Sequence, residues 1–131
     1  MKKIMVCAAS VVVLAIAVAW GMQKLRTMQI RTFAAENVRE IALALAQYSN
    51  EHQDILPANM EVVTNRLNSA RTLIDPVTTK PFIYVGAGVR WQDKQERIVL
   101  YSPSGDSGRW VLFNNGHLVW MTNARFKEAT R

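Results

Sequence analysis

The chain has little of what builds the commonest active sites. It holds one cysteine in 131 residues, Cys7, so no intrachain disulfide forms and no thiolate metal site rests on it. It has two histidines, His52 and His117, far apart in sequence and with no nucleophile placed beside either. Phosphate loops, zinc-ligand spacings and nucleophile elbows are missing, which argues against an enzyme. Most telling is a lack of charge. Ile4 to Trp20 carries no ionisable group except Cys7, and the first acid of the whole chain is Glu36. Proline is also missing before Pro57.

What fills that charge-free stretch is apolar: Ile4, Met5, Val6, then Val11 to Val18 with Leu14 and Ile16 among alanines, and Trp20. As a helix it covers roughly 25–28 Å, close to the hydrocarbon core of a bilayer. Lys2 and Lys3 precede it and Lys24, Arg26 and Arg31 follow. The net charge of +6 is therefore partly a pair of basic collars suited to anionic lipid headgroups. The other basic residues are dispersed among the 10 acids with no aromatic-interleaved stripe, so nucleic acid is not an expected partner. Three readings fit: a signal peptide cleaved after Ala17-Val18-Ala19, an uncleaved signal anchor, or the membrane half of a longer helix. Export of the C-terminal part is preferred, because a short basic n-region stays inside.

Residues 1–24 thus read as membrane anchor or signal segment and 25–131 as a soluble domain. Within it, Phe33, Val38, Ile41, Ala42, Leu45 and Tyr48 mark the apolar face of a helix over 27–52, continuous in pattern with the first segment through Gly21. A short helix over 60–70, capped by Asn59, carries Val63, Leu67 and Ala70. Asp75-Pro76 starts a turn. Four short β-rich runs follow within 82–121, and Asn114-Asn115-Gly116 is a tight-turn signal between the last two. The expected fold class is α+β: a long N-terminal helix packed on a small antiparallel sheet of three or four strands. Trp110 and Trp120 flank the turn and are expected to form a cross-strand or diagonal pair.

This order of elements resembles the type IV pilin-like proteins, and within them the pseudopilins of type II secretion and prepilin-type relatives. Asn37-Val38-Arg39-Glu40-Ile41-Ala42-Leu43-Ala44-Leu45-Ala46-Gln47-Tyr48 is similar to the family's NLRQIGLALQxY helix. Asp54-Ile55-Leu56-Pro57 resembles its G-x-F/L-P exit, and Asp75-Pro76 with Lys80-Pro81-Phe82-Ile83-Tyr84 its DPWGxPYxY strand entry. Tyr101 to Asp106 resembles YSxGxDG, and Val111 to Trp120 the VLFADGHVxWL ending, with Asn115 in place of the Asp. Two features depart from the pattern. The Gly-Phe processing mark and the glutamate early in the apolar run are missing, and so is a histidine ten residues upstream of Asn115.

The resemblance implies a single-pass protein of the bacterial inner membrane with its C-terminal domain on the periplasmic side. It implies a structural subunit or accessory of a secretion or pilus-like envelope assembly, partnered by membrane lipid and by copies of itself or other pilin-like subunits. A signal-anchored or secreted binding domain that does not polymerise is the alternative. The resemblance also raises a structural Ca²⁺ in the loop holding Ser102, Ser104, Asp106 and Ser107. Asp106 is its one carboxylate, with Asp75 or Asp93 as possible additions, so no tight site and no cofactor is expected.

Overall fold

The computed structural model describes residues 2–105 and 107–131, with side chains from residue 7 onward. The chain divides into two compact units, Met1–Thr32 and Phe33–Arg131. One helix, α1 (Lys2–Glu51), contributes to both. Its continuity follows from composition: no proline interrupts it, and alanine, leucine and other good helix formers dominate. In the first unit every described side chain from residue 7 to residue 30 is exposed. The hydroxyls there are satisfied within the helix, Thr27 Oγ1 donating to the Gln23 carbonyl and Thr32 Oγ1 to that of Met28, each at 3.0 Å.

The second unit buries one stripe of α1: Ala34, Ala35, Val38, Ile41, Ala44, Leu45 and Ser49. Phe33, expected on this stripe, is 62% exposed. The step from Phe33 to Val38 is five residues, which turns a helix well past one revolution, and the small Ala34 and Ala35 occupy the covered side instead. Val38, Ile41, Ala44 and Leu45 form one core with Leu56, Val63, Phe82, Trp91, Val99, Leu100 and Leu112. Burying each large member stabilises by roughly 1.5–3 kcal/mol, which is what holds the amphipathic half of the helix to the sheet.

The helix ends by geometry rather than by glycine. The Asp54 amide donates to the Ser49 carbonyl at 2.8 Å, the long bond of a Schellman-type cap. Gln53 and Asp54 both take positive φ, 57° and 64°. Asp tolerates that region, whereas Gln pays a Cβ penalty there. Gln53→Gly is therefore expected to raise stability by about 0.5–1 kcal/mol, read as a higher urea midpoint at unchanged slope.

The single helix expected over 60–70 is two 3-10 segments, Met60–Arg66 and Ala70–Leu73. Asn59 caps the first, as its side chain suggests, by accepting from the Glu61 amide. Ser69 caps the second in the same way, accepting from Arg71. β-branched Val62, Val63 and Thr64 weaken an α-helix here, and Leu67 already has extended backbone. Two acids of α1 fix the path. The Glu40 carboxylate accepts from the Asn68 amide at 2.6 Å, and Glu51 forms a two-pronged pair with Arg66. That hydrogen bond holds the Glu51 carboxyl below its ordinary range.

The sheet is an antiparallel meander in the order β1 (Ile83–Tyr84), β2 (Ile98–Tyr101), β3 (Arg109–Phe113), β4 (Leu118–Met121). Its register makes two apolar rows. Tyr84, Leu100, Leu112 and Leu118 lie on the face toward α1. Ile83, Tyr101, Val111 and Val119 lie on the other. A final short helix, α2 (Asn123–Ala129), is capped by Thr122 and brings Phe126 to 4.8 Å from the Tyr101 ring. The Arg109 guanidinium lies 4.1 Å from the Phe126 ring centre. The fold is thus α+β, with the long helix packed on a four-stranded antiparallel sheet in a pilin-like layout.

Candidate membrane and assembly segment

The feature that stands apart is the first unit of α1. Val11, Leu14, Val18, Leu25 and Met28 are all more than half exposed, and Trp20 is 76% exposed. A soluble protein rarely leaves so large an apolar surface uncovered. The helix is long and apolar enough to cross a membrane, with mean hydropathy 1.7 in its best window. Lys24 and Arg26 end the charge-free run, and Trp20 sits one turn before Lys24, where an indole favours the headgroup boundary. Cys7 is exposed on the same helix.

The other sequence candidates fall into structural roles. Asp106 lies outside the described residues. Asp75 is buried, and its carboxylate accepts from the Val77 and Thr78 amides and from Thr78 Oγ1, so it closes its own turn. Asp93 accepts from the Lys94 amide. Ser102 Oγ accepts from the Trp110 amide at 2.7 Å. Ser102 and Asp75 line one small crevice with Gly105 and Gly108, but their oxygens are already engaged. Among the described residues no group of three or more His, Cys, Asp or Glu side chains is placed to hold a metal ion.

His52 Nδ1 donates to the Tyr48 carbonyl at 2.8 Å, and its ring stacks on Tyr48 at 3.8 Å. It closes the last turn of α1. His117 lies at the β3–β4 turn, 6.2 Å from the Phe113 ring. Among the described residues the two histidines share no partner. Trp110 and Trp120 are directly opposed in register and meet edge to face at 5.4 Å.

Two residues carry more than their sequence context suggests. Asn114 is fully buried and bonds to three separate backbone groups of the 90–97 loop. Tyr84 donates its hydroxyl to the Pro57 carbonyl at 2.6 Å, tying the sheet to the exit of α1. Burial, and secondarily Tyr48 nearby, push the Tyr84 phenol well above its ordinary value. The neutral form is thus favoured in the folded state. Its contribution is complete below the ordinary tyrosine pKa of about 10 and is lost as pH rises above it. Stability measured by urea titration should fall steeply above that pH. Tyr84→Phe should flatten that fall while costing about 1 kcal/mol at neutral pH through the lost hydrogen bond.

Comparison with family models, curated proteins and solved structures gives no match to any of them. The functional reading therefore rests on the segment itself and on the fold that continues from it.

Proposed function

We propose that this chain is a pseudopilin-like structural subunit or accessory of a secretion or pilus-like envelope assembly. In this reading α1 is anchored in the bacterial inner membrane, with the second unit on the periplasmic side. It works by helix packing and protein contacts rather than by catalysis. The observation that carries the reading is α1: one unbroken helix passes from an apolar segment exposed over residues 7–30 into the packed stripe of an α+β unit. A local detail supports it. Asp54 has a left-handed backbone where the resembling motif has glycine, so the same chain exit is built with another residue that accepts positive φ.

The test is fractionation combined with the mass of the mature N-terminus. The expected result is an alkali-resistant membrane protein that retains residues 4–20 and whose second unit is cut by protease added to spheroplasts. Soluble protein beginning after Ala19 would overturn the reading. A second reading, a signal-anchored or secreted binding domain that does not polymerise, is favoured by one observation: the apolar run has no glutamate, the first acid being Glu36. Without that acid a neighbouring subunit's amino terminus has no buried counter-ion. Mass measurement in mild detergent separates the two, multimers supporting the first and strict monomers the second.

A further inference from the structure

The face of the sheet away from α1 carries one cation in an unusual setting. Arg109 opens β3 and projects on the same side as Val111 and Tyr101. Its guanidinium lies 4.1 Å from the centre of the Phe126 ring and 5.8 Å from that of Tyr101. The two rings meet at 4.8 Å, tilted by 55°. Arg109 Nε is buried without a hydrogen-bond partner. Among the described residues its terminal nitrogens form no hydrogen bond or ion pair either, and unlike Nε they are not closed off from water. Buried polar atoms are nearly always paired, so the exception needs a cause.

The packing of α2 centres on this cluster. None of its residues is buried, and Phe126 alone is turned partly from solvent. A helix of seven residues is not stable by itself. It is held by its Thr122 cap, by Asn123 Nδ2 donating to the Gly105 carbonyl at 3.0 Å, and by Phe126. The one inward side chain of α2 therefore packs on Arg109 and Tyr101 and not on the core. The stack fixes the plane of the guanidinium and leaves its terminal nitrogens as an open pair of donors.

An open guanidinium fork fits a planar carboxylate, which accepts two parallel N–H bonds. The surroundings favour negative charge. Residues 122–131 hold Arg125, Lys127 and Arg131 against Glu128 alone, and all three cations are exposed. Arg beside Tyr and Phe is a composition enriched in protein–protein contacts. A lipid surface fits less well, because apart from Phe126 the apolar residues of α2 are alanines, with nothing to enter a bilayer. Single-stranded nucleic acid needs free ring faces for its bases, and here both rings are engaged with each other and with Arg109.

We propose that Arg109, held by Phe126 and Tyr101, is a docking point for an acidic segment of a partner protein, with a Glu or Asp carboxylate taking the terminal nitrogens. Arg125, Lys127 and Arg131 draw such a segment in, and Phe126 is a positioning residue. The cluster lies wholly within the second unit, so it does not depend on membrane anchoring.

The test titrates the full-length chain, in mild detergent, into a fluorescein-labelled, end-capped hexaglutamate peptide and reads anisotropy. Saturable binding is expected, with none to hexalysine. Arg109→Lys keeps the net charge and loses the planar fork, so it should weaken binding about tenfold. Arg39→Lys makes the same exchange at an exposed site on α1, across the sheet, and should leave binding unchanged. Phe126→Leu keeps every charge and should weaken binding several-fold by freeing the guanidinium. Either Arg109→Lys or Phe126→Leu, shown to be folded by its urea midpoint, suffices. Binding equal to wild type in a folded variant would overturn the site, because general positive charge would then explain it. Absence of hexaglutamate binding would overturn it as well. Displacement of the peptide by glycerol phosphate, where glutarate has no effect, would overturn the protein partner in favour of a lipid headgroup.

Discussion

Asn114→Ala should be among the most destabilising single changes in the second unit, at about 3–4 kcal/mol. The side chain is fully buried at the first position of the β3–β4 turn. Its Oδ1 accepts from the Arg97 amide at 2.9 Å, and its Nδ2 donates to the Arg90 and Gln95 carbonyls, each at 3.1 Å. Its backbone amide donates to the Arg97 carbonyl and its carbonyl accepts from Gln92. Arg90 forms an isolated bridge with Ile55 and the Trp91 amide donates to the Asp54 carbonyl, while residues 92–97 belong to no strand and Asn114 is their main tie to the sheet. Alanine leaves one part-buried donor and two part-buried acceptors without their partner, each costing about 1–3 kcal/mol and not fully additive. A unit of this size is stable by roughly 5–15 kcal/mol, so the loss is a large fraction of the total. Asn114→Asp should cost at least as much, since it turns a carboxylate oxygen toward two carbonyls. Asn115→Ala is the control. Asn115 is exposed and, among the described residues, its side chain bonds to Glu96 and the His117 amide, so about 1 kcal/mol or less is expected. Urea denaturation followed by tryptophan fluorescence reads all three. Equal costs for positions 114 and 115 would contradict this account.

That contrast shows where sequence reasoning reached and where it stopped. The Asn-Asn-Gly turn was visible because glycine at positive φ is a local requirement, and Gly116 takes φ 81°. Which asparagine matters was not visible, because the partners of Asn114 lie 17 to 24 residues away. Glu40 is a parallel case. Its position off the apolar face of α1 reads as solvated, yet it accepts from Asn68 across 28 residues of chain. The Trp110–Trp120 pair was legible, since strand alternation and a short turn leave little choice of register. Phe33 lies off the buried stripe because phase outweighs residue type. A helix buries what its rotation presents, and at that end it presents alanines. The apolar segment was the plainest signal of all, because length and uninterrupted hydropathy need no partner to be read.

Gly108→Ala carries the other large effect, and its cause is backbone proximity rather than lost bonds. Gly108 precedes β3, where that strand meets the end of β4, with Arg109 paired to Met121. A Cβ built at Gly108 falls inside van der Waals contact of the Met121 carbonyl oxygen, 3.1 Å from its carbon and 3.0 Å from Trp120 Nε1. Neither of the first two atoms is the tip of a flexible side chain, so the strands themselves must part. Gly108 also has φ 157°, at the edge of the region that only glycine occupies without strain. Overpacking of this kind costs about 3 kcal/mol, at the upper end of the usual range, because relief requires breaking strand pairing. The Trp110–Trp120 pair lies one residue further along and should separate with it. The expected signature is therefore a double loss: a lowered denaturation midpoint and a weakened far-ultraviolet exciton signal from the two indoles. Gly88→Ala isolates the backbone contribution. It has φ 73° and nothing within 4 Å, so about 1 kcal/mol is expected, with the indole signal intact. A Gly108→Ala protein as stable as the Gly88→Ala protein would mean that β3 and β4 do not approach this closely in solution. The crevice beside Gly108, lined by Asp75 and Ser102, would then be wider than its engaged oxygens imply.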